Sequence, residues 1–251
     1  MKLDNEGEIE WENILGTEGL PDEATSVTET NNGQFLATGI KYTPEDNSTV
    51  NKAWVIKFNN TGTVVWDRVY GERNFNVVFS ILEAQDLGYI VGGSTSIGPN
   101  KDDAWIFKLD NEGEILWENI YINPGKDRIE SVNRIMSNGY IISGYKNIIT
   151  EESNNSQGLV LKLNLDGETE WETVLSLGEE TNLYSVQQTE DLGYIVAGYI
   201  KFEDTEYFDT DLLVVKLNQT GNVEWYKTFG GDHRDKAYSI KQTLDLGYII
   251  A

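Results

Sequence analysis

The sequence predicts an all-β fold of repeated four-stranded blades, a β-propeller, and three observations carry that expectation. First, one short stretch recurs: "DLGYIVGG" at Asp86–Gly93, "SNGYIISG" at Ser137–Gly144, "DLGYIVAG" at Asp191–Gly198 and "DLGYIIA" at Asp245–Ala251, with "NGQFLATG" at Asn32–Gly39 as a worn copy. Second, a lysine–turn–glycine–tryptophan stretch, as in "KLDNEGEILW", ends in Trp11, Trp66, Trp117, Trp171 and Trp225. Third, a serine opening "SV" or "SI" stands at Ser26, Ser80, Ser131, Ser185 and Ser239. All three markers keep one period of about 54 residues, the length of a four-stranded propeller blade.

Each unit divides into four short strand-like runs. Run one follows the marker serine, as in "SVQQT", and run two is "GYIVAG". Run three is "AWVIKF" or "LLVVKL", and run four carries the tryptophan. Alternation is clear in run four, where Ile9 and Trp11 face one way and Glu8, Glu10 and Glu12 the other. Turn chemistry joins the runs into hairpins: "DLG" between one and two, "DNEG" or "NQTG" between three and four, with Asn, Asp and Gly where positive φ is needed. The glycine and small residues of "GYIVAG" are expected to let neighbouring blades approach closely.

These residues resemble the β-propeller repeat proteins of bacterial and archaeal cell surfaces, with a less specific similarity to quinoprotein-type blades. The worn "GQFLATG" and the "QGLVLKL" around Gly158 depart from the pattern. The resemblance spans the whole chain and implies a propeller, often secreted or surface-attached, but no particular activity. We therefore expect one domain, 1–251, with an extracellular or cell-surface location. Its first residues form no signal-peptide core. Five repeats are present, so the closing blade is expected to be shared between the termini and incomplete; a piece of a larger propeller is the alternative. A half-built blade also leaves an open edge for self-association.

Composition narrows the partners. The formal charge of −23 repels nucleic acid and anionic membrane, and no apolar run approaches the about 18 residues of a membrane span. Cations, proteins and neutral glycans remain as partners. Without cysteine there is no thiolate metal site, nucleophile or disulfide, and a single histidine, His233, excludes mechanisms needing two.

Recognition is expected on the face carrying the variable two-to-three and four-to-one connections. The richest of these, "YIKFEDTEYFDTD", sets Tyr199, Phe202, Tyr207 and Phe208 among acidic residues including Asp209 and Asp211, a combination suited to sugar stacking or cation capture. Four residues before each marker serine stand Asp22, Asn76, Asp127, Thr181 and Asp235. Their oxygens could ring the channel mouth and hold Ca²⁺, or could cap local turns. No cofactor is implied. Asn47, Asn59, Asn154 and Asn218 head weak glycosylation sequons. No acid pair is distinguished by motif, so the leading expectation is a non-catalytic binding module. A structural spacer and a glycan-acting enzyme are the alternatives.

Overall fold

A computed structural model describes residues 1–45, 48–71, 75–96, 102–149, 154–202 and 209–251. It is all-β, with no helix among these residues. Two short strands, β1 (Lys2–Leu3) and β2 (Ile9–Trp11), pair antiparallel. Four complete blades follow. The first is β3 (Glu23–Glu29), β4 (Phe35–Glu45), β5 (Ser48–Phe58) and β6 (Val64–Tyr70). The second is β7 (Asn76–Glu83), β8 (Tyr89–Thr95), β9 (Asp103–Leu109) and β10 (Ile115–Tyr121). The third is β11 (Arg128–Arg134), β12 (Tyr140–Ile149), β13 (Asn154–Leu163) and β14 (Thr169–Leu175). The fourth is β15 (Glu180–Gln188), β16 (Tyr194–Lys201), β17 (Asp211–Leu217) and β18 (Val223–Phe229). The hairpin β19 (Ile240–Gln242) and β20 (Tyr248–Ile250) comes last. Every blade is a simple antiparallel meander, and the first strand of the second, third and fourth blades packs against the blade before it.

Local chemistry explains the turns. Asn59 Oδ1 accepts the backbone N–H of Thr61 and Thr63, and Asp110 and Asn218 do the same in their blades, so the sequon asparagines Asn59 and Asn218 have a structural task. The glycine after them takes positive φ, as expected (Gly62 80°, Gly113 84°, Gly221 82°). The one-to-two turn differs from expectation. Its left-handed position is held by Leu87, Leu192 and Leu246, each at φ 66°, and by Asn138 at φ 62°. Glycine follows the leucine because a Cβ at Gly88 or Gly193 would overlap the third-strand carbonyl of Leu109 or Leu217. Close approach, not φ, places that residue.

Two layers hold successive blades together. On the outside, the fourth-strand tryptophan meets the second-strand aromatic of the next blade: Trp11–Phe35 at 5.6 Å, Trp66–Tyr89 at 6.1 Å, Trp171–Tyr194 at 5.4 Å and Trp225–Tyr248 at 5.9 Å. Further in, the residue after that aromatic clusters with the residue after the next marker serine: Leu36 with Ile81, Ile90 with Val132, Ile141 with Val186, Ile195 with Ile240. Burial of each such aliphatic side chain contributes about 1.5–3 kcal/mol. The small residue two places further along allows this approach, since a Cβ at Gly92 would press on Ile129 and Val132 of the following blade.

The expected shared closing blade is not built. β1–β2 and β19–β20 form two separate two-stranded sheets, and no ladder joins β20 to β1. Each is anchored on its own side, β2 through Trp11 stacked on Phe58 at 5.9 Å and β19 against β15 and β16. A cleft of about 930 Å³ remains beside β1–β2, lined by residues that include Met1, Leu3, Trp11 and Val27. No helix among the described residues is long and apolar enough to cross a membrane.

Candidate functional site

The candidate site is built by one irregularity repeated in every blade. Where the first strand pairs with the second, the register slips by one residue: between Ala24 and Ser26, Val78 and Ser80, Ile129 and Ser131, Leu183 and Ser185. The skipped residues are Thr25, Phe79, Glu130 and Tyr184. In the last hairpin, Tyr238 and Ser239 both donate their N–H to the Ala251 carbonyl, so Tyr238 takes the same place. A β-bulge leaves its extra residue unpaired and re-aims its side chain. All five bulge residues line a single pocket of about 470 Å³ on the common axis.

The last glycine of the repeated stretch permits the bulge. A Cβ at Gly39, Gly93, Gly144 or Gly198 would overlap the carbonyl oxygen of Glu23, Val77, Arg128 or Asn182, the first-strand residue of the same blade. The expectation that this glycine serves packing between blades is thereby corrected. It serves pairing within a blade, and through it the axis.

The remaining wall comes from the start of first strands (Arg128, Asn182) and the end of second strands (Tyr145, Tyr199), which lead to the variable connections. The pocket therefore belongs to the variable-loop side. Its aromatic surface is continuous. Tyr184 stacks on Tyr238 at 5.1 Å with 18° between planes, and meets Tyr199 at 5.9 Å. The Arg128 guanidinium lies 4.6 Å from the Phe79 ring and 5.9 Å from that of Tyr145. Lys236 Nζ sits 3.9 Å over the Tyr199 ring. These cation–π contacts hold two cations beside the axis of a strongly acidic chain.

Burial sets the titration of the wall. It pushes the Glu130 carboxyl up to about 7, against the pull of Arg128 at 3.7 Å. It pushes the Tyr199 phenol up to about 12, helped by Glu180, and raises Tyr145 and Tyr184 as well. Lys236 is lowered, first by burial and then by Arg234. Asn182 Nδ2 donates to Tyr199 Oη, which donates on to Glu180 Oε2 at 3.3 Å. Two buried polar atoms of the pocket wall have no partner among the described residues: Arg128 Nε, a donor, and Asn182 Oδ1, an acceptor. Buried groups of this kind ordinarily find a bond, and here both stand at the wall of an open pocket.

Of the residues singled out in the sequence, Tyr199 is in this wall. Phe202 lies beyond it at the end of β16, and Tyr207 and Phe208 fall outside the described residues. Asp209 and Asp211 sit at the entry to β17, where burial and the neighbouring Asp209 and Asp235 raise the Asp211 carboxyl.

The oxygens expected to ring the channel mouth or to cap local turns are engaged with nearby groups at four of the five positions. Asp22 accepts the N–H of Thr17 and of Tyr42, the latter at 2.6 Å. Asn76 donates to the Asn51 carbonyl at 2.9 Å and accepts from Thr95 at 2.7 Å. Asp127 accepts from Asn123 and from the Asn147 N–H, and Asp235 from the Gly231 N–H. Thr181 is buried. Among the described residues, no group of three or more histidine, cysteine or acidic residues could hold a metal ion. His233 is exposed.

Residues missed at sequence level are Thr25, Phe79, Arg128, Glu130, Tyr145, Asn182, Tyr184, Lys236 and Tyr238. One signal could have found most of them. The residue before each marker serine varies freely within an otherwise repeated frame, as does the one three before it.

No protein-family model matches the chain, and no curated protein matches it in sequence. Among solved structures it is similar to a protein of unknown function from Bacteroides caccae, with a TM-score of 0.41 and 11% identity over 94% of this chain and 90% of the other. It is also similar to a structure described as the eukaryotic initiation factor, with a TM-score of 0.33 and 9% identity over 82% of this chain and 55% of that one.

Proposed function

We propose that the protein is a non-catalytic binding module that takes a small, flat, polar ligand of the size of one or two sugar rings into the axial pocket. The observation that carries this reading is the convergence of five bulge residues, one from each repeat, on a single aromatic pocket with an unpartnered donor and acceptor in its wall. A volume of about 470 Å³ lies within the usual range for small-molecule sites. Tyr184 and Tyr238 offer a stacked aromatic edge, while Arg128 Nε and Asn182 Oδ1 fit hydroxyl groups. Such a site orients a neutral sugar without a metal.

A glycan-acting enzyme is less well supported. Glu130, near 7, has the titration of a general acid, but glycoside hydrolysis needs a second carboxyl across the substrate, and Glu130 is the one acid among the described residues of the pocket wall. A structural spacer leaves the aromatic pocket without a task. A surface or secreted setting is supported by the resemblance of the repeats.

A glycan array followed by thermal melts tests the reading. A ligand that binds only the folded chain raises its melting temperature as concentration passes Kd. Tyr184→Ala and Arg128→Ala should each abolish that shift, and Phe202→Ala should leave it. No shift with any glycan, with or without Ca²⁺, would leave the spacer reading in place. Release of product, lost in Glu130→Gln, would favour the enzyme.

A further inference from the structure

The position three residues before each marker serine reads Glu23, Val77, Arg128, Asn182 and Lys236. Its polar members are unevenly placed. Three successive repeats supply arginine, asparagine and lysine, so Asn182 has a cation on the blade before it and another on the hairpin after it. Cross-strand pairing draws aromatic rings to the same side: Arg128 stands opposite Tyr145, and Asn182 opposite Tyr199. Lys236 Nζ lies 3.9 Å over that same Tyr199 ring.

Neither cation has a committed counter-ion. Glu130 meets Arg128 only at Nη1 and only at 3.7 Å. Burial pushes that carboxyl up to about 7, so near neutrality it carries its charge only part of the time. Lys236 forms no ion pair among the described residues; the Tyr199 ring faces it instead. In a chain with 42 acidic against 19 basic side chains, two such neighbouring cations depart from what composition leads one to expect.

The unpartnered atoms beside them ask for two different groups. Arg128 Nε is a donor on a guanidinium edge that Glu130 does not occupy, and such an edge suits the two oxygens of a carboxylate. Asn182 is 6% exposed; its Nδ2 is spent on Tyr199 Oη, and its free Oδ1 needs a donor, which a carboxylate cannot be. A hydroxyl can. Tyr184 and Tyr238 add the aromatic surface for a ring.

We propose that the ligand of the axial pocket is a sugar acid, a pyranose ring bearing one carboxylate. The inference rests on the binding reading above and narrows it. The carboxylate takes the Nε edge of Arg128 within the field of Lys236, a ring hydroxyl donates to Asn182 Oδ1, and the ring lies on the tyrosines. A neutral sugar makes only the last two contacts, and a bare anion only the first. The net charge of −23 opposes an anion at long range, where salt screens it beyond about 8 Å at physiological ionic strength. At the axis, the two adjacent cations reverse the preference for neutral glycans that this charge implies.

A glycan array carrying neutral and uronic-acid glycans, followed by calorimetric titration of the 251-residue chain, tests this. The matched pairs are D-galacturonate against D-galactose and D-glucuronate against D-glucose, with acetate and sulfate as bare anions. In the preferred pair the acid should bind at least tenfold tighter than its neutral counterpart, and the bare anions far more weakly than the acid. Arg128→Lys keeps the charge but removes the edge, and should erase most of that ratio while the neutral sugar still binds. Lys236→Gln, outside the pocket lining, should reduce the ratio by a smaller factor, and carries the test alone if Arg128→Lys does not fold. Asn182→Leu should weaken acid and neutral sugar alike. Equal affinities within each pair overturn the inference and leave the binding reading standing. So does acetate or sulfate bound as tightly as the acid, which would mark a bare anion site. Failure of every glycan to bind, acid and neutral alike, overturns both.

Discussion

The junction between the second and third blades and the junction at the open cleft are written in the same residues, yet they end differently. Ile90 and Val132 lie in one apolar cluster, while Ile249 and Val27 face solvent. Nothing in their local sequence separates them. The difference teaches that a repeat's apolar stripe is stabilising only when a neighbour covers it, so one side chain can be core in one blade and exposed in another.

The largest effect expected from this contrast follows a charge placed on either side. Val132→Asp buries a carboxylate with no partner and should cost about 3–5 kcal/mol or prevent folding. Val27→Asp should change the stability of the isolated chain by less than about 0.5 kcal/mol. Urea unfolding of the two variants measures both, and equal losses would show that the cleft is closed in solution.

Next come the bulge glycines. Gly144→Ala drives a Cβ into the Arg128 carbonyl, with blades on both sides holding β11 in place. We expect a loss of about 2–4 kcal/mol and displacement of Arg128 and Glu130 from the pocket. Gly39→Ala meets the Glu23 carbonyl in the same way, but β3 borders the open cleft and can give, so the loss should be smaller. Gly231→Ala, with nothing near its Cβ, is the control.

The bulge residues also differ in how they titrate. Glu130 has its carboxyl raised from 4.5 to about 7 by burial, while Thr25, at the same place beside the cleft, has no group that ionises in this range. Below about 4.5 the carboxyl is neutral in both the folded and the unfolded chain. As pH rises toward 7 the unfolded chain ionises first, so stability fully present below 4.5 is lost by at most about 3 kcal/mol and then levels off. Chemical denaturation from pH 4 to 8 should show that slope in the native chain. Its absence in Glu130→Gln checks the assignment.

The smallest effect is at the turns. Leu192 holds a left-handed φ of 66° at about 1 kcal/mol of strain, so Leu192→Gly should stabilise by up to that amount. Leu246→Gly relieves the same strain in the last hairpin. If β19–β20 is frayed in the isolated chain, its gain in melting temperature will be the smaller of the two.

Much of this architecture is legible along the chain because its causes are local. Alternation around Trp11, the side-chain capping at Asn59 and the spacing of Tyr89, Tyr140 and Tyr194 each depend on a few neighbouring residues, and they specify strands, turns and blade order. The pocket is not legible in that way. Thr25, Phe79, Glu130, Tyr184 and Tyr238 follow no single residue type and stand about 54 residues apart, so no window contains two of them. They become one site when each blade's bulge, permitted by a glycine facing a carbonyl across the strand pair, turns its extra residue to a common axis. The oxygens before the marker serines, alike in sequence, do the opposite: nearby backbone groups reach Asp22, Asp127 and Asp235 first. Closure likewise rests on tertiary structure. The sequence by itself determined that β1–β2 carries the third- and fourth-strand markers of a blade and β19–β20 the first- and second-strand markers, because the repeat numbers them. Whether they meet was decided only in three dimensions, because that pairing depends on where the four blades between them carry the ends.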